Sequence, residues 1–348
     1  MSYGIDCGTY NLVLCKRDAE GKFIYKREVN AFLEIPCDEE NRFVFNMMKA
    51  TKLDEGTPKE RKVPVIENKE TKTAYVLGEA AVNVAYTMNL ELKRPMKDGC
   101  LNPKERSAQQ IMNKMIHGLI ESAAPDETIY FSKPANALNE ETDADYHAKV
   151  LEAILKAFKD KDGNRVKPRP INEGLALIYA ELAAKQWTGC GVSFGAGMVN
   201  VCFSIYGNPV FNFSLVNSGD WIDRMAAKAV GESPTYINKE KLKLDLSTEP
   251  TDFVQKAIKT QYELMIQKTV MGIKKGLETS DHKVRADNPI DIVIAGGTSC
   301  PNGFDVLFRN MITQVGLPIP VGSIIRPQDP LYSVARGCLL AAEAADQS

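Results

Sequence analysis

Three apolar runs in the sequence each end in a glycine-bearing turn: Asp6-Cys7-Gly8-Thr9-Tyr10-Asn11, Ser193-Phe194-Gly195-Ala196-Gly197-Met198 and Ala295-Gly296-Gly297-Thr298-Ser299. Glycine at such a bend lets backbone approach an anion closely, and successive amide donors form a concave nest for phosphate oxygens. One such turn is more often only a turn; three in this order, with one in each half and one late, point to phosphate binding. None is a GxxxxGK[ST] loop or a GxGxxG opening a helix, so P-loop and dinucleotide-fold readings are set aside. Metal chemistry through sulfur or imidazole is not expected. The eight cysteines, Cys37 among them, contain no CxxC pair, and His117, His147 and His282 lie far from one another. The thiols read as reduced core residues.

The turns need strands to hold them. Tyr3 to Cys15 (YGIDCGTYNLVLC) reads as a hairpin of buried strands, and Phe23 to Val29 as a third strand. From Cys37 to about Lys72 the composition turns polar, and a loop-rich surface insertion is expected. Apolar residues at helical spacing predict a helix within Pro103 to Ala124 and another over Asp143 to Lys159, with a short buried strand, Thr128 to Ser132, between them. The charged stretch KDKDGNRVKPRP then reads as a connection and a domain boundary. Beyond it the pattern restarts. A helix from Glu173 to Lys185 precedes strand, turn and strand over Gly191 to Ile205, and a further strand covers Asn208 to Val216. Two halves with the same apolar, glycine, apolar hairpin indicate an internal duplication. A helix over Trp221 to Val230, a polar stretch to Pro250, a long helix from Asp252 to Leu277, a strand Ile290 to Ala295 and a closing helix Tyr332 to Ala344 complete the reading.

A chain of 348 residues suffices for roughly two domains, each with its own core. Lys and Arg number 43 against 45 Asp and Glu, a formal charge of -2, so no direct nucleic-acid partner is expected. No apolar run approaches the length of a spanning helix, and the opening MSYGIDCGTY lacks the features of a signal peptide. A cytoplasmic location is the expectation. The first strand begins at once, which leaves no room for an amphipathic membrane anchor.

Several segments resemble the actin-like ATPase superfamily, and within it the bacterial actins of the MreB and MamK type. GIDCGTYN looks like their first phosphate loop, and SFGAGMVNVCF, followed by NSGDWID, like their second. KRPMKDGCL is similar to the RP[LM]-x-DG segment of MreB, and INEGLALIYA and SVARGCLLAA to the two connecting helices. NKEKLKLDL and IAGGTSCPNGF resemble the adenosine-side segments. The matches run in family order from residue 4 to residue 342.

The resemblance implies an α/β fold of duplicated actin-like (ribonuclease H-like) domains, each a mixed five-stranded sheet flanked by helices, around a nucleotide cleft. The expected domains are residues 1–167 with 327–348, carrying an insertion at about 30–90, and residues 168–326, carrying one at about 232–288. It implies ATP or ADP with Mg2+ as ligands. Asp6 would hold the magnesium, and Glu173 would orient the attacking water. Gly8, Thr9, Tyr10 and Asn11 would grip the phosphates with Gly195, Ala196, Gly197, Met198, Gly219 and Asp220. Glu240 and Lys243 would meet the adenosine, together with Gly296, Gly297, Thr298 and Ser299. The second loop departs from the family pattern, with Ser193 in place of aspartate and Met198 in place of threonine. Neither side chain supplies the missing charge or hydroxyl to the phosphate, so hydrolysis is expected to be slow. The implied activity is head-to-tail self-association into filaments, with an adaptor or cargo protein as a further partner; a non-polymerising scaffold ATPase and a heat-shock-chaperone-like ATPase are the alternatives.

Overall fold

The computed structural model describes residues 2–36, 65–68, 72–88, 90–138, 142–280 and 289–347, with the side chains of 86–88 excepted. Cys37, His282 and most of the polar insertion lie outside the described residues.

The opening hairpin forms as its apolar pattern requires. Strands β1 (Tyr3–Cys7) and β2 (Asn11–Arg17) pair antiparallel, with Ile5 opposite Leu14. Ile5, Leu12, Val13, Leu14 and Cys15 are all buried, so both faces of the hairpin are covered. That explains a continuous apolar run where a half-exposed strand would alternate. β3 (Phe23–Val29) joins β2 antiparallel. The chain then builds β4 (Phe32–Pro36), β5 (Val65–Asn68) and β6 (Thr73–Leu77) into a small three-stranded sheet capped by α1 (Gly78–Met88). A two-residue ladder of β7 (Met96–Lys97) and β8 (Cys100–Leu101) follows. Helices α2 (Ala108–Ile120) and α3 (Ala144–Lys156) flank β9 (Glu127–Lys133), which runs parallel to β1. Asp143 caps α3, its carboxylate accepting from the Tyr146 amide at 2.7 Å.

The stretch expected to be a domain connection is instead partly structured. Val166–Asn172 is strand β10, parallel to β9 at the edge of the first sheet. Pro168 and Pro170 break the apolar pattern, and an edge strand is where a sheet tolerates prolines.

After α4 (Glu173–Glu181) come β11 (Gly189–Phe194), β12 (Val199–Ile205) and β13 (Asn208–Leu215). Helix α5 (Gly219–Val230) precedes α6 (Pro234–Lys241), which lies inside the stretch expected to be merely polar. α7 (Phe253–Thr279) is followed by β14 (Ile290–Ala295), α8 (Phe304–Val315), β15 (Val321–Ile325) and α9 (Ser333–Asp346). The sheets read β3-β2-β1-β9-β10 and β13-β12-β11-β14-β15. In both, the first two pairings are antiparallel and the last two parallel. The duplication is therefore complete at the level of strand order and direction, and the fold is that of duplicated actin-like domains. No helix among the described residues is long and apolar enough to cross a membrane.

Two helices bind the halves together. α9 lies against β1, where a Cβ on Gly4 would stand 2.1 Å from the carbonyl oxygen of Ala335. α4 lies in the same way against β11 and β12, where a Cβ on Gly191 would stand 2.2 Å from the carbonyl oxygen of Gly174. α4 and α9 cross each other at Gly337, whose added Cβ would meet the Ala176 carbonyl oxygen at 1.8 Å. Backbone, not side chain, fills these contacts, so any substitution must push a helix away. Gly337→Ala should destabilise the fold by about 3 kcal/mol, measured by denaturant unfolding.

A second prediction concerns His147 on α3. It is fully buried, its Nδ1 accepts from the Leu101 amide at 3.2 Å, and its Nε2 has no partner. Burial, with a smaller push from Lys133, lowers its pKa to about 4. The unfolded chain therefore takes up a proton, below about pH 6.5, that the folded chain refuses until about pH 4. Stability from this site is lost as pH falls through that window, in full about 3 kcal/mol. His147→Asn, which keeps an acceptor near Nδ1, should flatten the acid limb of the stability curve, as read from thermal melts between pH 7 and pH 4.

Candidate functional site

A cleft of about 460 Å³ opens between the two sheets and is lined by all three glycine turns. The first two turns are built alike. Gly8 donates its amide to the Asn11 carbonyl at 3.0 Å, and Gly195 donates to the Met198 carbonyl at 2.9 Å. Counted along the hairpins, Asp6 and Ser193 hold equivalent positions, as do Asn11 and Met198.

The carbonyls of both turns are tied back, away from the cleft. Asn30 donates through its side chain to the Gly8 carbonyl at 2.9 Å and through its amide to the Tyr10 carbonyl at 2.8 Å. In the second turn, Thr298 Oγ1 donates to the Gly195 carbonyl at 2.8 Å, while the Asp220 amide (2.8 Å) and Ser218 hydroxyl donate to the Ala196 carbonyl. The amides of Thr9, Tyr10, Ala196 and Gly197 have no acceptor among the described residues. The anchored Gly8, Gly195 and Ala196 carbonyls share their peptides with the amides of Thr9, Ala196 and Gly197, which are thereby presented forward in the geometry of an anion nest. Asn11 Oδ1 is also buried and unpartnered. Such a residual polar demand fits a bound polar ligand.

Two carboxylates enter the same cleft. Asp6 stands at the end of β1 and accepts from Ser132 Oγ at 2.8 Å. Glu173 opens α4, which Asn172 caps by accepting from the Leu175 amide at 3.2 Å. Burial raises the pKa of both acids, and the charge of Asp6 raises that of Glu173 further, while Ser193 and Asn200 favour its ionised form. No cationic side chain among the described residues offsets the pair. A hard divalent cation held by one or two carboxylates and phosphate oxygens suits this donor set.

Of the residues expected in the site, Asp6, Gly8 to Asn11, Glu173, Gly195 to Met198, Gly219, Asp220, Gly296, Gly297 and Thr298 line the cleft. Ser299 does not; it is buried, and its hydroxyl donates to the Gly296 carbonyl at 2.8 Å. Glu240 and Lys243 also lie outside the lining, and pair with each other at 2.7 Å on the protein surface. Their places are taken by Asn238, Lys241 and Leu242. The cause is Lys241, whose ammonium is drawn inward by Asp223 at 2.7 Å and the Gly219 carbonyl at 3.0 Å. That buried pair fixes the rotation of α6 and turns Glu240 outward. Met198 is buried and faces Gly99, whose added Cβ would stand 2.5 Å from its sulfur.

The segment containing Gly99 also contributes a residue that spacing alone did not mark. Arg94 Nη1 donates to both carboxylate oxygens of Asp220 at 2.9 Å, and its guanidinium lies over the Tyr10 ring at 4.9 Å. Asp98 pairs more loosely with Arg224 at 3.6 Å. Arg94 thus links the first turn to the N-terminus of α5 across the cleft mouth. Arg94→Ala should loosen the halves, seen as a larger radius of gyration in solution scattering, with a stability loss of about 1 kcal/mol for a half-exposed pair.

The actin-like fold is shared with solved structures of low sequence identity. A MamK double helical filament matches with a TM-score of 0.69 at 16% identity, covering 98% of each chain. MreB 5 of Spiroplasma citri bound to AMPPNP matches at 0.66 and 13% identity, covering 99% of this chain and 96% of that one. A non-polymerising point mutant of MamK bound to AMPPNP matches at 0.56 and 16% identity, with 98% of each chain covered. No curated protein sequence matches significantly. The sequence profile of one family does match, along residues 1–342, and by that match this actin-like chain belongs to the Volactin family.

Proposed function

We propose that the chain binds ATP with Mg2+ in the cleft and assembles head to tail into cytoplasmic filaments, hydrolysing the nucleotide slowly. The observation that carries this reading is the pair of equivalent turns with carbonyls tied back and amides free. They face one cleft that also holds two uncompensated carboxylates. Structures of similar fold contain AMPPNP, and one is a double helical filament. A heterologous contact between identical subunits that does not close a ring gives such a filament.

Each residue then has a part. The amides of the two turns receive the phosphate oxygens, and Asp6 holds the cation. When bound, the cation neutralises charge on the phosphates. Glu173 orients the attacking water, a positioning role of the kind that dominates phosphoryl transfer. Asn238 and Leu242 stand on the nucleoside side with Gly296 and Gly297. Ser193 supplies no carboxylate and Met198 no hydroxyl to the phosphate, which makes turnover slow. The two sheets are the cores of two domains, the first closing at the end of β10 and regaining α9, with arms at about 30–90 and 232–288.

Sedimentation of the purified protein with Mg2+ and ATP, ADP or no nucleotide tests the proposal, with electron microscopy of the pellets and phosphate release on the same samples. ATP-dependent filaments are expected; a protein that binds ATP and stays in the supernatant at every concentration contradicts the filament reading and favours a non-polymerising scaffold. Asp6→Ala should weaken Mg2+-dependent ATP binding about tenfold or more in titration calorimetry. Unchanged affinity would remove Asp6 from the cation site.

A further inference from the structure

A row of polar side chains crosses one face of the second sheet. Ser193 on β11 lies opposite Asn200 on β12, and Asn200 lies opposite Ser214 on β13. All three are buried, on the face opposite to that of their chain neighbours Val192, Phe194, Val199 and Val201, which belong to the core. Buried polar groups persist in such surroundings only when they are partnered. Ser214 Oγ donates to Asn200 Oδ1. That bond orients the Asn200 amide, leaving its NH2 as the donor at the other end of the row.

The donor end opens into the cleft. Ser193 and Asn200 line the cleft together with Glu173, and helix α4, which Glu173 opens, rests directly on this part of the sheet. A Cβ on Gly174 would stand 2.5 Å from the Cys202 amide. The other end of the row leaves the sheet. The Ser214 backbone pairs with residues 136–138, the segment that follows β9 of the first sheet. The Leu138 amide donates to the Ser214 carbonyl at 2.9 Å, and the Ser214 amide donates to the Asn136 carbonyl at 3.2 Å. The row therefore starts at a contact between the two halves and ends in the cleft that also holds Glu173.

We propose that Ser193 and Asn200 are positioning residues that hold the Glu173 carboxylate, and that Ser214 ties their orientation to the contact between the halves at residues 136–138. The proposal rests on the reading of Glu173 as the residue that orients the attacking water. Ser193 is then no vestige of a lost aspartate. In the same cleft as Glu173 a serine hydroxyl can donate where an aspartate in its place would repel, so the altered second turn trades a charge near the phosphate for a fixed carboxylate.

The test is ATP affinity and saturated phosphate release with Mg2+ for the full-length wild type and for Asn200→Asp, Ser214→Ala and Ser214→Thr, with thermal melts on each. Asn200→Asp keeps the shape, loses the NH2 and adds a carboxylate that repels Glu173. It should lower kcat about tenfold to a hundredfold. Ser214→Ala should lower kcat by a smaller factor, about threefold to tenfold, and Ser214→Thr, which restores the hydroxyl, should recover it. The serine pair decides the matter if the aspartate variant fails to fold. Phosphate release unchanged in the variants, in a wild type that hydrolyses ATP, overturns the proposal alone. A wild type that binds ATP and releases no phosphate overturns the reading of Glu173 together with it.

Discussion

Close approach of backbone to backbone at glycine sets the geometry on which everything else depends. α9 touches β1 at Gly4, α4 touches β11 at Gly191, and the two helices meet at Gly337 and Ala176. With no side chain to act as a spacer, the two sheets stand at a separation fixed by main-chain contact. Close-packed interiors transmit such constraints with little compliance. The crossed helices carry the consequence into the cleft, because Glu173 is the first residue of α4 and Asp6 lies two residues beyond Gly4.

Equivalent positions in the two halves have diverged within that frame. Asp6 and Ser193 are counterparts, yet one supplies a carboxylate to the cleft and the other a hydroxyl. Asn11 and Met198 are counterparts, yet one presents an unpartnered polar atom and the other closes the floor against Gly99. The first half supplies Asp6 to the cleft, and the second supplies Glu173 and Asp220. Arg94, reaching over Tyr10 to Asp220, is the polar tie at the mouth between the two contributions.

Much of this was legible in the sequence where burial is two-sided. The runs at Tyr3 to Cys15 and Ile290 to Ala295 are continuous and apolar because both faces of those strands are covered, and their bounds follow closely. β10 was not legible, since an edge strand tolerates the lysine, arginine and prolines that otherwise signal a loop. α8 and β15 went unread for want of flanking signals as plain as the glycine turns. In the cleft, the glycine turns were readable from residue type and the two carboxylates from the family resemblance. Which residues near the end of α6 line the cleft was not, because the rotation of α6 is decided by a tertiary ion pair, Lys241 with Asp223, that no local pattern encodes. Asn200 and Ser214 are ordinary polar residues in sequence, and only the strand register places them in one row.

The most direct test of the central claim is where phosphate sits. A crystal structure of the chain with AMPPNP and Mg2+ is expected to show the phosphate oxygens within hydrogen-bond reach of the free amides of both turns, those of Thr9 and Tyr10 in the first and of Ala196 and Gly197 in the second, with the cation beside Asp6. Phosphates bound elsewhere, or a nucleotide engaging only one of the two turns, would contradict the account.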